Sequence, residues 1–308
     1  MIRLGLFAAG AWLAEWLPAP LLYLLARAIG WLASYVPAPP RTRLERNLAV
    51  VLGTCPNDPR VRRLVHRVYQ THAVNYADLL RGPRFSREQA AARFRQAGDG
   101  WRPFWDALAA GHGLVLVTAH FGRFELLSHY LEHLGVPITL AVERLQPPAL
   151  FDLLCRLRQR ESLELVPHDT ALRPLLRALA RGRVAGFLAD WDPSGHGVEV
   201  EFFGRPAPLP AGPAFIARRA GVPLFIGFAV PADDGPYHWG VMEPPIIVER
   251  TADADADVRQ ATQAMARTFE RYIGRYPDQW VMFHQIWPAG LVECRTGAAP
   301  AACSRTAG

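Results

Sequence analysis

An α/β fold, a single domain with a mostly parallel central sheet flanked by helices, is predicted by three features of this 308-residue chain. Short continuous apolar runs recur: GLVLVT at 113–118, VAGFL at 184–188 and PLFIGFAV at 223–230. Stretches with helical apolar spacing separate them, and runs apolar on both faces suit parallel strands covered by helices on each side. Finally, 50% of residues are apolar and 20% charged, too apolar for disorder and enough to bury a sizeable core.

The elements follow in order. Between residues 4 and 40 only Glu15 and Arg27 interrupt an apolar run, which Pro18 and Pro20 divide. Its uncharged stretches all fall short of the ~18–20 residues that cross a bilayer straight. Trp12, Trp16, Tyr23, Trp31 and Tyr35 are aromatics of the kind that settle at headgroup level. Residues 1–40 are therefore expected to form a helical anchor, two short helices lying in one leaflet, with a pair of buried core helices as the alternative. Residues 59–80 and 86–96 read as helices. After Gly98 and Gly100 come a strand at 113–118, a helical pattern through Leu134 and a strand at 136–142. A helix at 148–162, a strand at 163–166, a helix at 172–183 and a strand at 184–188 continue the alternation. Residues 210–220 read as helix, 223–230 as strand, 238–249 as strand-like and 256–276 as a long amphipathic helix. The α/β domain is expected to span 41–292, and 293–308, without apolar period, to be a disordered tail.

All 34 basic residues are arginine. The absence of lysine excludes Schiff-base chemistry and a Walker-type phosphate loop. The net charge is +6, and residues 41–69 carry seven arginines against Glu45 and Asp58. A basic stretch beside an apolar one points to an anionic membrane surface rather than nucleic acid. Cys55, Cys155, Cys294 and Cys303 form no CxxC pair, which reads as a reduced, cytosolic protein.

The segment LVTAHFGRFE (116–125) carries the chemistry. His120 stands beyond the carboxyl end of a buried strand, where α/β sheets bind ligands. Glu125 follows five residues later, about 140° from eclipse on a helix, so the two meet only if His120 lies on the turn and Glu125 on the helix behind it. Gly122 permits so tight a turn. A carboxylate on one imidazole nitrogen fixes the tautomer and favours the cation formed when the other takes a proton. With no Ser or Cys elbow nearby, the chemistry expected is deprotonation of a substrate hydroxyl and its attack on an activated acyl carbon.

His120–Phe121–Gly122–Arg123–Phe124–Glu125 resembles the H-x4-D/E motif of the glycerolipid acyltransferases. More narrowly, the chain resembles the bacterial lipid A lauroyl/myristoyl acyltransferase family. That family's motif usually reads H-x-G-N-W-E or -D, and it includes the phosphatidylinositol mannoside acyltransferases. RLERNLAVVLG (43–53), the stretch from LADWDPSG to GVPL (188–224) and PDQWVMFHQIWP (277–288) share its texture, over roughly residues 4–290. The resemblance implies an O-acyltransferase moving a fatty acyl chain from a thioester, acyl-CoA or acyl carrier protein, to a hydroxyl of a membrane glycolipid. The acceptor would be a lipid A precursor or a phosphatidylinositol mannoside, at the cytoplasmic face of the cell inner membrane. No metal and no cofactor beyond the thioester is implied. In the catalytic set His120 is the base, Glu125 its supporting carboxylate, and Asp190 of ADWD a further acid, with Asp192 the other match. Gly122, Arg123, Glu143, Arg144, Asp192 and, from the ladder Arg156, Arg158 and Arg160, one arginine (Arg158 or Arg160 foremost) are the substrate-binding set. Arg123 and Phe124 replace the family's Asn and Trp, and Arg123 is an extra cation suited to a phosphate.

A thioesterase and a non-catalytic lipid-binding protein of the same fold are the alternatives. HYLEH (129–133) also fits a short metal-binding pattern, without a third ligand in sight. Phe202, Phe203 and Gly204 are either acyl-channel lining or an ordinary strand end.

Overall fold

The computed structural model describes residues 16–84, 86–158, 161–233, 235 and 237–288, with positions 5, 7, 10, 12 and 14. The expected tail and Arg160 lie outside the described residues. Helices α1 (Ala19–Ala33), α2 (Pro39–Val51) and α3 (Pro59–Arg81) come first. Prolines in the first turn start all three, where a missing N–H costs no hydrogen bond. Asp58 also caps α3, its side chain accepting from the Arg60 N–H.

Leu22, Ala26 and Gly30 turn toward α3. A side chain at Gly30 would strike the Tyr69 carbonyl, so the small residue allows backbones to approach. The opposite face stays apolar and open: Leu24, Ile29 and Leu32 are 63%, 62% and 60% exposed. No helix among the described residues is long and apolar enough to cross a membrane.

After the short α4 (Arg87–Ala91), strands and helices alternate. The strands are β1 (Phe94–Ala97), β2 (Leu114–Thr118), β3 (Ile138–Val142), β4 (Leu163–Pro167), β5 (Val184–Leu188), β8 (Leu224–Pro231) and β9 (His238–Met242). They form one seven-stranded sheet in the order β1-β9-β8-β2-β5-β3-β4. All neighbours are parallel except β8 and β9, which makes the sheet mostly parallel. Between strands run α5 (Trp101–Ala109), α6 (Phe124–His133), α7 (Pro148–Arg158), α8 (Leu172–Ala180) and α9 (Gly212–Ala220), and α10 (Ala254–Arg275) follows β9. Residues of α8, α9 and α10 close one apolar core, with Phe228, Phe269 and Trp280 at its centre. Residues of α5 and α6 close another, around Phe104, Leu126 and Phe225. Strands buried on both faces explain the continuous apolar runs.

Two expectations need correction, and one element was not anticipated. The helix expected at 86–96 ends at Ala91, and residues 94–97 pair with β9 as an edge strand, because ladder partners far along the chain override the local pattern. Residues 198–209 form a separate hairpin of β6 (Val198–Phe202) and β7 (Arg205–Leu209). Its period of two, Val198, Val200 and Phe202 against Glu199 and Glu201, is the signal that gives it away. Cys55 is disulfide-bonded, against the all-thiol reading, while Cys155 is free. Spacing along a chain does not report which sulfurs meet in space.

Candidate active site

Strand register brings the first two site residues together. β2 and β5 pair in parallel from Leu114 with Val184 to Thr118 with Leu188, a constant offset of 70 positions. Two residues beyond each strand end, the same offset places His120 opposite Asp190. The His120 Nδ1–H donates to Asp190 Oδ1 at 2.8 Å, and its backbone N–H donates to Oδ2 at 3.0 Å. Trp280 Nε1–H adds a third bond to Oδ2 at 2.9 Å. A carboxylate accepts only, which assigns the proton to Nδ1 and leaves Nε2 as the ring nitrogen available to a substrate. Burial opposes the His120 cation, but the Asp190 charge and hydrogen bond outweigh it and raise the imidazole above its usual 6.5. Asp190, fully buried, would lose its charge to desolvation, yet the same pairing holds its carboxyl below 3.8.

The turn that carries His120 is fixed on several sides. Gly122 has φ of 61°, and a Cβ there would overlap the Ala229 carbonyl oxygen. The N–H of Gly122 donates to the Gln279 carbonyl at 2.9 Å, and the N–H of Val281 donates to the His120 carbonyl at 2.8 Å. Asn75 Nδ2 on α3 donates to the Gly122 carbonyl at 2.8 Å. Asn47, from the RLERN stretch, donates to the carbonyls of Met282 and His284 at 3.1 and 2.7 Å. The stretches 43–53, 188–224 and 277–288 thus converge on one turn. Phe124 sets its ring edge-on to the imidazole, 5.6 Å between centroids.

Charged groups around the turn sort by partner. The carboxylate on the imidazole is Asp190; Glu125 instead makes a two-pronged ion pair with Arg158. The five-residue spacing turned Glu125 into the first turn of α6, and parallel register supplied a nearer acid. Glu125 still acts on His120 through space, favouring the cation. Of the arginine ladder, Arg158 lines the cavity while Arg156 is exposed.

Arg123 does not reach the cavity. It ion-pairs with Asp78, which is fully buried, and lies 4.9 Å over the Tyr23 ring, whose hydroxyl also donates to Asp78 at 2.8 Å. The cation expected for a phosphate therefore ties α1 and α3 to the turn. Arg144 likewise faces away, meeting Asp169 at 3.3 Å on the surface. Glu143 lines the cavity. Asp192 lines it too, with its oxygens taken by the N–H groups of Ser194 and Gly197 and by the Ser194 hydroxyl.

The cavity holds about 1030 Å³. Its polar lining includes His72, His120, Glu125, Glu143, Arg158 and His284, the last stacked on Trp191 with centroids 3.7 Å apart. Its apolar lining includes Trp101, Leu116, Leu127, Leu131, Ile138, Leu163 and Met242. Gly186 and Gly227, on β5 and β8, supply floor without side chains. Phe202 and Phe203 take no part in it; Phe202 stacks on Trp287, 5.4 Å between centroids. His129 is buried on α6, and no set of three His, Cys, Asp and Glu groups among the described residues is placed to hold a metal. Sequence reasoning missed His72 and His284 in the cavity wall and Trp280 on Asp190. Their signal lay in the proximity of three distant stretches, which spacing does not carry.

A model of the bacterial lipid A biosynthesis acyltransferase family matches residues 2–288. The chain is 33% identical over 195 residues to a phosphatidylinositol mannoside acyltransferase of Mycolicibacterium smegmatis, covering 62% of each chain. It is 30% identical over 224 residues to the phosphatidylinositol mannoside acyltransferase of Mycobacterium tuberculosis strain CDC 1551, covering 71% of this chain and 69% of that one. The chain thus spans about three fifths of the M. smegmatis relative. The family match runs through the His120 turn, the ADWD loop and the Trp280 segment alike, and the chain belongs to the bacterial lipid A biosynthesis acyltransferase family.

Proposed function

We propose that the protein transfers a fatty acyl chain from a thioester to a hydroxyl of a membrane glycolipid, with His120 as general base. The observation that carries this reading is a histidine–aspartate pair whose histidine lines a large, mostly apolar cavity. Neutral His120 takes the acceptor hydroxyl's proton at Nε2, and Asp190 stabilises the cation that results. The alkoxide oxygen bonds to the thioester carbon, and the tetrahedral intermediate collapses by breaking the C–S bond. The departing thiolate takes the proton back from His120. The Arg158 guanidinium, oriented by Glu125, lines the same cavity, where it favours negative charge developing on the thioester oxygen.

The volume sits at the upper end of ordinary ligand pockets, about 300–1,000 Å³. Each buried methylene of the acyl chain would contribute about 0.8 kcal/mol to binding. The chemistry uses no metal or bound cofactor. Because the two relatives act on phosphatidylinositol mannosides by name, a mannoside acceptor is preferred to a lipid A precursor. The exposed apolar face of α1, together with the exposed Arg60, Arg63 and Arg67 on α3, fits a monotopic seat on an anionic membrane, at the cytoplasmic face of the bacterial inner membrane.

Purified protein, a labelled acyl-CoA and phosphatidylinositol mannoside in mixed micelles test the reading by product mass. An acylated glycolipid is expected. Free fatty acid formed at the same rate with or without glycolipid would instead mean a thioesterase, and no turnover of either kind a lipid-binding protein.

A further inference from the structure

Two polar groups in the cavity wall have nothing to bond. On α3, Asn75 is 3% exposed; its Nδ2 donates to the carbonyls of Thr71 and Gly122, while its Oδ1 is buried without a partner. One helical turn earlier, His72 Nδ1 is likewise buried and unpaired. The His72 ring packs edge-on against Tyr76 and tilted against Phe283, with centroids 4.7 and 4.6 Å away. Both residues line the cavity on which His120 opens. Burial, with the nearby His120 cation, pushes the His72 imidazole down to about 4, so it stays neutral wherever His120 works as a base.

Buried polar groups are nearly always paired, and two unpaired ones on one wall of a binding cavity describe what fits there. Asn75 Oδ1 can only accept, so the ligand must bring a donor. A thioester carbonyl and an oxyanion have none and would be repelled. A neutral imidazole gives one donor or one acceptor at Nδ1. A hydroxyl satisfies both residues at once, donating its proton to Asn75 Oδ1 and accepting from His72 in its Nδ1–H tautomer.

We infer that His72 and Asn75 grip a second hydroxyl of the acyl acceptor, adjacent to the one deprotonated at His120, and so select polyhydroxylated headgroups over monohydroxy lipids. The inference rests on the acyl-transfer reading and adds to it the two residues that orient the acceptor. The pair binds substrate and takes no proton, so it should govern acceptor affinity and leave the donor side alone.

Steady-state kinetics of His72→Phe and His72→Gln with palmitoyl-CoA and phosphatidylinositol mannoside test it. Phenylalanine keeps the aromatic packing and removes the polar atom. The KM for the mannoside should rise about tenfold, the equivalent of one lost hydrogen bond, while the KM for palmitoyl-CoA holds. Glutamine, which restores a donor and an acceptor, should recover most of the loss. An unchanged mannoside KM, or equal changes for both substrates, would overturn the inference and leave the pair to an ordered water. Should the wild-type protein transfer nothing, the acyl-transfer reading fails separately. Equilibrium binding of the mannoside to wild type and His72→Phe then decides the seat: tenfold weaker binding sustains it, equal binding ends it.

Discussion

At His120 burial and charge pull the imidazole in opposite directions, and the Asp190 carboxylate prevails. Catalysis needs the neutral base, so kcat/KM should climb with pH through a His120 pKa above 6.5. Asp190→Asn removes the charge and misassigns the tautomer. It should lower kcat by about 10³–10⁴-fold and move the remaining pH limb downward, which a pH–rate profile of both proteins checks. Stability follows a different window. The raised His120 pKa contributes fully below 6.5 and is lost as pH rises through its folded value. The depressed Asp190 pKa contributes above 3.8 and is lost as pH falls through its own folded value. The difference in Tm between wild type and Asp190→Asn should therefore be largest between those two ordinary values and shrink toward alkaline pH, where activity is highest. The place of His120 was legible in sequence, as a histidine just past a buried strand. Its partner was legible only as a member of a set, because nothing local ranks Asp190 above Glu125; the 70-position register does.

Among elements, the turn between β2 and α6 is the one on which the site depends. Gly122→Ala forces a Cβ onto the Ala229 carbonyl at positive φ, so it should cost well over ~1 kcal/mol and displace His120 with it. Chemical denaturation and activity should fall together. The Arg123–Asp78 pair makes a separate prediction, because its two side chains are only 12% and 0% exposed. Arg123→Ala strands a buried carboxylate and should cost about 3–5 kcal/mol, whereas Arg123→Met with Asp78→Leu should recover most of it, as measured by urea unfolding. A phosphate-binding role for Arg123 would show the reverse, a KM effect with little loss of stability. Elements with continuous apolar runs, β2, β5 and β8, could be read from the chain because their burial on both faces marks every residue. β1 could not, since four residues at a sheet edge owe their shape to β9 rather than to their own pattern. Arginine roles were equally hidden: a fixed cation advertises its charge, and only the fold says whether Asp78, Glu125 or Asp169 answers it.

Over the whole molecule, apolar surface and charge lie on the amino-terminal side, where Leu24, Ile29 and Leu32 face outward from α1. Replacing these three by glutamate should abolish co-sedimentation with anionic vesicles while leaving the unfolding transition within about 0.5 kcal/mol, the usual effect of surface changes. Raised salt should weaken wild-type binding without removing it, because the apolar contribution is not screened. The central claim is that His120 is the base for acyl transfer. It is tested most directly by the rate of label transfer from palmitoyl-CoA to phosphatidylinositol mannoside catalysed by His120→Ala, with folding checked by circular dichroism. A folded variant slower by at least about 10²–10⁴-fold is the predicted result; a folded variant that transfers at the wild-type rate would contradict it.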